Sequence, residues 1–144
     1  MKILVINGPN LNMTGIRKKD VYGSETLEDI NSYLADYAKS KGGELEFFQS
    51  NHEGAIIDKI HESRNFFDGA VINAGAYTHY SYAIRDAIES VMDFLPYVEV
   101  HMSDIKSREA FRANSVITDV CIKQISGFGK DSYKMGIDLL LEIL

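Results

Sequence analysis

The sequence predicts an α/β fold in which a five-stranded parallel sheet is packed between helices on both faces. Short apolar runs alternate along the chain with segments whose apolar residues recur at helical spacing. This alternation is typical of parallel sheets whose crossover helices cover both faces. The first run, residues 3–6, is continuously apolar, as expected for a strand that is buried on both faces.

The elements follow one another without an internal repeat or a linker. Thr26 or Ser24 is expected to cap the first helix, and Gly42 and Gly43 are expected to end it. Five strands favour the flavodoxin-like strand order over the six-stranded dinucleotide-binding order. We therefore expect one domain over residues 1–144, with strands at 3–6, 45–48, 70–72, 97–100 and 120–125, and helices at 27–38, 55–60, 82–92 and 130–144.

The last helix is expected to bury Met135, Leu139 and Ile143, which are spaced four residues apart. Before it, the segment 127–129 reads Gly-Phe-Gly and is a weak match to a dinucleotide-binding turn. No further βαβ unit follows to complete such a site, so a turn that seats the helix is the favoured interpretation.

Composition limits the classes of partner and compartment. The chain has 144 residues, 45% hydrophobic and 25% charged, with a net charge of −6, which argues against nucleic acid as the main partner. No apolar run approaches the length needed to span a bilayer, and no secretory leader is expected. We therefore expect a cytoplasmic protein that does not bind membranes. The single cysteine, Cys121, is expected to fill the core from the middle of the fifth strand.

Polar side chains follow four of the five predicted strands. Ligands of open parallel sheets bind beyond the carboxyl ends of the strands, so the shared position of these residues indicates a binding site. Arg108 and Arg112, four residues apart, would lie on one face if that stretch is helical. The basic cluster of Arg17, Lys18 and Lys19 in an acidic chain indicates a small anionic ligand. The strand-end residues are Asn7, Asn10, Asn12, Asn51, His52, Glu53, Asn73, Thr78, His79, Arg85, Asp86, His101, Met102 and Ser103.

An unusually long connection follows the first strand. About eighteen residues separate Asn7 from the first helix, where ~2–6 are usual. The stretch "MTGIRKKDVYGSE" places Arg17 five residues before Tyr22. A catalytic lid is favoured over a plain surface insertion. A guanidinium beside the Tyr22 hydroxyl would lower its pKa and make it a usable base.

A general acid completes acid–base chemistry on a small anion, and His101 is the candidate. Glu99 is expected to point to the same face of the sheet, because side chains alternate along a strand, and to orient the imidazole. Other chemistries fit less well. The loop after the first strand lacks an FMN-type phosphate site, and Asn7 and Asn73 occupy the positions where a phospho-acceptor protein has aspartates. Neither a metal-ligand cluster nor a G-x-S-x-G motif is present in the sequence.

Several long segments together resemble the type II 3-dehydroquinate dehydratases along nearly the whole chain. They appear in the order "INGPNLN", "GIRKKDVYG", "FFQSNHEGAIIDKIH", "VINAGAYTHYSYAIRDAI", "VEVHMSD", "REAFRANS" and "ISGFG". The resemblance implies a flavodoxin-like enzyme, commonly a dodecamer of four trimers. Such an enzyme converts 3-dehydroquinate to 3-dehydroshikimate in the shikimate pathway, without metal, cofactor or Schiff-base lysine.

The resemblance also implies residue roles. Tyr22 would take the proton from C2, with Arg17 favouring its ionised form. The enolate would be held by a water near Asn10, and His101 would protonate the leaving hydroxyl at C1. Asp86 would reach a neighbouring subunit's site. The implied substrate contacts are Asn73, His79, Met102, Ser103 and Arg112.

Two positions depart from the family pattern. Lys18 and Lys19 stand where the family usually has Glu-Pro, and Ser132 replaces a glycine before the tyrosine of the last helix. We expect the first difference to change the kinetics of the loop and the second to affect only the start of the last helix. The alternative function is a non-catalytic flavodoxin-like module that binds a small anion. The enzyme is favoured because the chain contains both a candidate base and a candidate acid, which a binding module does not need.

Overall fold

Five parallel strands form one sheet in the order β2-β1-β3-β4-β5. The computed structural model describes residues 1–16, 20 and 24–144. The strands are β1 (Lys2–Asn7), β2 (Glu44–Gln49), β3 (Gly69–Asn73), β4 (Tyr97–His101) and β5 (Lys123–Ser126). The α-helices of the described residues are α1 (Leu27–Ser40), α2 (Glu53–Ser63), α3 (Tyr82–Val91) and α4 (Asp131–Ile143). The predicted fold class is confirmed, and this strand order is the flavodoxin-like one.

Two apolar cores lie on opposite faces of the sheet. Alternate residues of β1 enter different cores: Leu4 and Ile6 pack with α2 and α3, whereas Ile3 and Val5 pack with α1 and α4. All four side chains have no exposed surface. The two-faced burial explains why this strand is apolar at every position rather than at alternate ones.

Helix α1 begins at a complete capping box. The Thr26 hydroxyl accepts from the backbone N–H of Asp29, and the Asp29 carboxylate accepts from the backbone N–H of Thr26, each over 3.1 Å. Thr26, rather than Ser24, is therefore the cap. The helix ends before Gly42, whose φ of 81° is the left-handed conformation that glycine adopts without strain.

The predicted inner face of the last helix is wrong for Met135 and Ile143, whereas Leu139 is half-buried against the core of α1 and α4. Met135 is 39% exposed and Ile143 is 52% exposed, whereas Tyr133, Ile137 and Leu140 are fully buried. The reason is Gly136. A Cβ at this position would lie 3.2 Å from Val100 Cγ1 and 3.4 Å from both Val71 Cγ2 and Val98 Cγ1. The helix therefore sets its smallest residue against the sheet, and its buried stripe follows Gly136 rather than the methionine.

The fifth strand is shorter than predicted. Thr118–Val120 is a 3₁₀ helix, and strand pairing begins only at Lys123. Val120 is buried and Cys121 half-buried against the core of α2 and α3, so the apolar run reflects core packing outside the strand. Cys121 is core filler, as predicted, but does not lie in the strand. Burial raises the pKa of its thiol.

Gly8 joins the carboxyl ends of β1 and β3. Its N–H donates to the Asn73 carbonyl over 2.8 Å, and a Cβ at position 8 would lie 2.3 Å from the Ala74 carbonyl oxygen. We expect Gly8→Ala to destabilise the fold by roughly 2–4 kcal/mol, because a rigid backbone group must move. Denaturant unfolding of the purified variant measures the effect.

Gly54→Ala is the matched control. No atom lies within 4 Å of the Cβ position there, and the residue is in α2, so stability should stay equal or rise by up to about 1 kcal/mol. If Gly8→Ala were as stable as the parent, the backbone at the β1–β3 junction could move to admit the Cβ without a loss in the free energy of unfolding.

Candidate active site

A pocket lies beyond the carboxyl ends of β1, β3 and β4, where the chain passes from one side of β1 to the other in the strand order. This is the switch point at which α/β sheets bind ligands. The structure brings seven predicted site residues to its wall: Asn10, Asn73, His79, His101, Met102, Ser103 and Arg112. The other lining residues are Pro9, Leu11, Gly75, Ala76, Ile105 and Arg108.

His101 is the last residue of β4 and is 5% exposed. Its Nε2 lies 2.5 Å from Oε2 of Glu99, two residues earlier on the same face of the strand. An ionised carboxylate can only accept, so Nε2 carries the proton of this contact. Nδ1 is then the ring nitrogen left for exchange with a ligand. The predicted orienting role of Glu99 has the geometry that it needs.

Glu99 has no exposed surface, and its carboxylate accepts from three further side chains. Thr118 Oγ1 donates to Oε1 over 2.6 Å, while Ser115 Oγ and Gln124 Nε2 donate to Oε2 over 2.9 and 3.1 Å. Burial alone would raise the pKa of Glu99. The hydrogen bonds from His101, Thr118 and Gln124 outweigh it and hold the pKa below its usual value. A charge buried this deeply is tolerated because donors surround it.

His79 ends the 3₁₀ helix Gly75–His79, which follows β3. Its Nδ1 lies 2.7 Å from the Asn114 carbonyl, which can only accept, so Nδ1 carries the proton. Burial lowers the pKa of His79. The neutral ring then has Nε2 as an acceptor, and the ring packs edge-on against Phe111 with centroids 5.6 Å apart. The two pocket histidines thus have opposite tautomers.

Asn73 ends β3 and is oriented from both ends of its side chain. Its Nδ2 donates to the Tyr133 hydroxyl over 2.9 Å, and its Oδ1 accepts from the Gly75 N–H over 3.2 Å. The Tyr133 hydroxyl in turn donates to Asn7 Oδ1 over 2.5 Å. These contacts set which end of the Asn73 amide is the acceptor.

Asn10 lies in the turn after β1 with a left-handed φ of 68°, a conformation that asparagine tolerates better than most residues. Its N–H donates to Asn51 Oδ1 over 3.0 Å, and Gln49 Nε2 donates to the same oxygen over 3.2 Å. Gln49, at the end of β2, and Asn51, after it, therefore support the loop after β1. They do not line the pocket.

Two arginines of the described residues line the pocket and are positively charged. Arg112 donates from Nε to Glu109 over 3.1 Å, and its guanidinium lies 4.8 Å from the centre of the Phe111 ring. Arg108 donates from Nη1 to the Ser103 hydroxyl over 3.3 Å. Arg108 was not among the predicted substrate contacts, although its position four residues before Arg112 was a usable signal.

Two further predicted site residues of the described chain do not line the pocket. Glu99 lies behind His101, and Asp86 is exposed on α3. Arg17 and Tyr22 fall outside the described residues. Among residues 1–16, 20 and 24–144, no group of three or more His, Cys, Asp or Glu side chains is placed to hold a metal ion. No helix within these ranges is long and apolar enough to cross a membrane.

The family model described as "Dehydroquinase class II" matches residues 1–141. The chain belongs to this family. A 3-dehydroquinate dehydratase of Caldicellulosiruptor bescii is 56% identical over 99% of this chain and 98% of its own length. One of Bacillus cereus (strain AH187) is 52% identical over 99% and 97%. The resemblance stated from the sequence is confirmed.

Solved structures agree with this assignment. The type II dehydroquinase of Butyrivibrio crossotus DSM 2876 superposes with a TM-score of 0.95 at 57% identity, covering 97% of each chain. That of Propionibacterium acnes has a TM-score of 0.92 at 34% identity, covering 98% of this chain and 96% of its own. Enzymes of this class II dehydroquinase family therefore share both the sequence pattern and the sheet described above.

The buried carboxylate predicts a pH-dependent difference between the parent and Glu99→Gln. The pKa of Glu99 is lowered in the folded chain from 4.5, so its charge stabilises the fold above the unfolded-state pKa. That contribution is lost as pH falls through the folded-state pKa. We expect the parent to be the more stable at neutral pH, and the difference to shrink below about pH 4.5.

Urea unfolding of both proteins across this pH range measures the difference. Glu142→Gln, a substitution of the same kind at an exposed position, corrects for the general effect of acid. A difference that stays constant or grows as pH falls would show that Glu99 is not ionised in the folded chain.

Proposed function

We propose that this chain dehydrates 3-dehydroquinate to 3-dehydroshikimate in the shikimate pathway of aromatic amino acid biosynthesis, without metal or cofactor. The observation that carries the proposal is His101, placed by a buried carboxylate in the pocket that also contains Asn10, Asn73 and Arg112. Family membership supports the substrate, since the curated relatives carry the name 3-dehydroquinate dehydratase. One catalytic domain over residues 1–144 is part of the proposal.

The proposed acid is His101. Proton donation from Nδ1 to the C1 hydroxyl lets the C1–O bond break and water leave. The ring then becomes neutral, and its Nε2–H continues to donate to Glu99. Because Glu99 is an anion within 2.5 Å of Nε2, it stabilises the protonated ring before the transfer and holds its orientation throughout.

The proposed base is Tyr22, ionised with the help of Arg17. It takes the C2 proton next to the ketone, and the electron pair passes to the carbonyl oxygen as an enolate. The enolate is stabilised by a water held at Asn10. Collapse of the enolate forms the C1–C2 double bond as the hydroxyl leaves. Tyr22 then releases the C2 proton to the solvent and His101 takes up a proton from the solvent at Nδ1, which restores both groups for the next turnover.

The flanks of the segment that carries Tyr22 support its role. Thr14 Oγ1 donates over 2.6 Å to the carbonyl of Leu11, which lines the pocket. A Cβ on Gly15 would lie 2.7 Å from the Glu25 carbonyl oxygen, so the two flanks meet. The flanks therefore meet four residues along the chain from Leu11, which supports a base that acts on the ligand from the segment between them.

The proposed substrate contacts match groups that the ligand offers. A carboxylate suits the Ser103 hydroxyl and the backbone of Met102, and ring hydroxyls suit Asn73, His79 and Arg112. The neutral His79 accepts from a hydroxyl through Nε2. An anion in this pocket also meets the guanidinium of Arg112 at close range.

The assembly is proposed from the same resemblance. We expect a homododecamer, arranged as four trimers, in which the exposed Asp86 on α3 reaches a neighbouring subunit's site. Sedimentation of the purified protein, compared with that of Asp86→Ala, would measure the assembly. A monomer with full activity would contradict it.

The first test is turnover of 3-dehydroquinate by protein that has been treated with a chelator and given no cofactor. We expect near-ultraviolet absorbance to rise as the conjugated enone product forms. Calorimetric binding of 3-dehydroquinate without turnover would favour the non-catalytic anion-binding module. Neither turnover nor binding would show that the substrate assignment is wrong.

The second test is Tyr22→Phe, which removes the hydroxyl that must accept the C2 proton. We expect kcat to fall by a factor of about 10³ or more, with the Kd for substrate changed only a few-fold. Tyr37→Phe is the control, because Tyr37 bonds Asp138 on α4 and lies outside the pocket lining. Normal kcat in Tyr22→Phe would exclude Tyr22 as the base.

A further inference from the structure

Three neutral donors on Glu99 have no part in the proton transfers described above. Ser115 and Thr118 lie in the segment between β4 and β5, and Gln124 lies in β5 itself. None of the three lines the pocket. They reach the chemistry only through the carboxylate, which in turn contacts His101.

Thr118 and Gln124 form a directional chain. Gln124 Nε2 lies 3.1 Å from Glu99 Oε2 and 3.1 Å from Thr118 Oγ1, so its two amide protons serve two acceptors. Because Thr118 Oγ1 accepts from Gln124, its single proton is directed to Glu99 Oε1, 2.6 Å away. Thr118 therefore donates to Oε1 and Gln124 donates to Oε2, so this linked pair fixes both oxygens of the carboxylate.

The fold positions both residues independently of any ligand. Gln124 is the β5 residue paired with Glu99 in the parallel register. The segment that carries Thr118 is tied to α3 and its neighbours, since the Val116 N–H donates to the Thr78 carbonyl over 2.9 Å and Arg85 Nη1 donates to the Val116 carbonyl over 2.9 Å. The same segment supplies the Asn114 carbonyl that sets the His79 tautomer.

We propose that Thr118 and Gln124 are positioning residues for the acid: they hold Glu99 as an oriented carboxylate and so keep the His101 ring proton on Nε2. Nδ1 is then the only ring position from which a second proton is delivered. The importance of this role for turnover rests on the proposed dehydratase function, whereas the tautomer itself can be measured without substrate.

Three ionisable groups of the described residues act on this carboxylate. His101 lies on the same strand, His79 comes from the 3₁₀ helix after β3, and Cys121 follows the segment of Thr118. Arg112 acts on His79 from the pocket side. Thr118 and Gln124 do not titrate, so replacing them changes the energy of the Glu99 charge without adding or removing a titrating group.

The test compares Thr118→Val and Gln124→Leu with the rescue variant Thr118→Ser. Loss of one donor to a charged group should lower kcat about tenfold or more, with KM changed less than about threefold. The low-pH limb of the kcat profile should move to higher pH, because the Glu99 carboxylate is then protonated more readily. Thr118→Ser keeps the hydroxyl and should restore both kcat and the profile.

A second readout does not depend on activity. ¹⁵N spectra of protein labelled in histidine report which ring nitrogen carries the proton. We expect His101 protonated on Nε2 in the parent and in Thr118→Ser, and an averaged signal from both tautomers in Thr118→Val. If the parent does not turn over 3-dehydroquinate but shows this pattern, the proposed function fails while the positioning role stands.

Ser63→Ala is the control for a lost buried hydroxyl. Ser63 Oγ lies 2.8 Å from the Tyr97 hydroxyl at the opposite end of β4, and both residues are buried. It should lower stability but leave kcat, its pH profile and the His101 spectrum as in the parent. The positioning role is overturned if Thr118→Val and Gln124→Leu behave like Ser63→Ala, or if Thr118→Ser fails to restore the parent spectrum.

Discussion

The buried carboxylate of Glu99 is the constraint on which this site depends. Leaving an ion of this kind unpaired inside a protein costs several kcal/mol, so the surrounding chain has to supply donors. Four side chains do so, from β4, from β5 and from the segment between them. The geometry of His101 is therefore a consequence of how the chain solvates one buried charge. The orientation of the His101 ring is thereby linked to the pairing of β5 with β4.

A second buried network links the sheet to the ligand side of the pocket. Tyr133, on α4, has no exposed surface, yet its hydroxyl lies between Asn7 and Asn73, the last residues of β1 and β3. These two asparagines are paired in the β1–β3 register. The final helix thus contributes no residue to the pocket lining but determines how Asn73 presents its amide there. The buried stripe that places Tyr133 follows from Gly136, so the packing of the helix and the orientation of Asn73 share one cause.

Strand and helix identities could be predicted because the parallel sheet makes nearly every core strand continuously apolar. The collection of polar residues at the strand ends followed from the same topology, which is why His101, Asn73 and Asn10 were found together.

The errors in the sequence-based prediction have a different origin. A glycine carries no apolar signal, so the sequence pattern favoured Met135 over Gly136 as the position facing the sheet. The donors to Glu99 were missed because Thr118 and Gln124 come from outside the strand ends and meet only through the β4–β5 register. Neither residue has a spacing that indicates this contact.

A chain with a negative net charge can bind an anion, because the few charges that contact the ligand affect its binding energy more than the distant charges do. The chain carries −6, but at physiological ionic strength its distant charges are screened over about 8 Å. An arginine at about 4 Å from a carboxylate contributes roughly 4 kcal/mol at a partly buried site. Arg108 and Arg112 both line the pocket, and Arg112 is only 18% exposed at its side chain. The neighbouring Glu109 offsets part of this charge, but it is 55% exposed and therefore weakened by solvent. The sign of the electrostatic potential in the pocket is thus determined by the residues that line it. Burial lowers the pKa of His79 and so favours its neutral ring, so that within the described part of the pocket lining the positive charge comes from the two arginines.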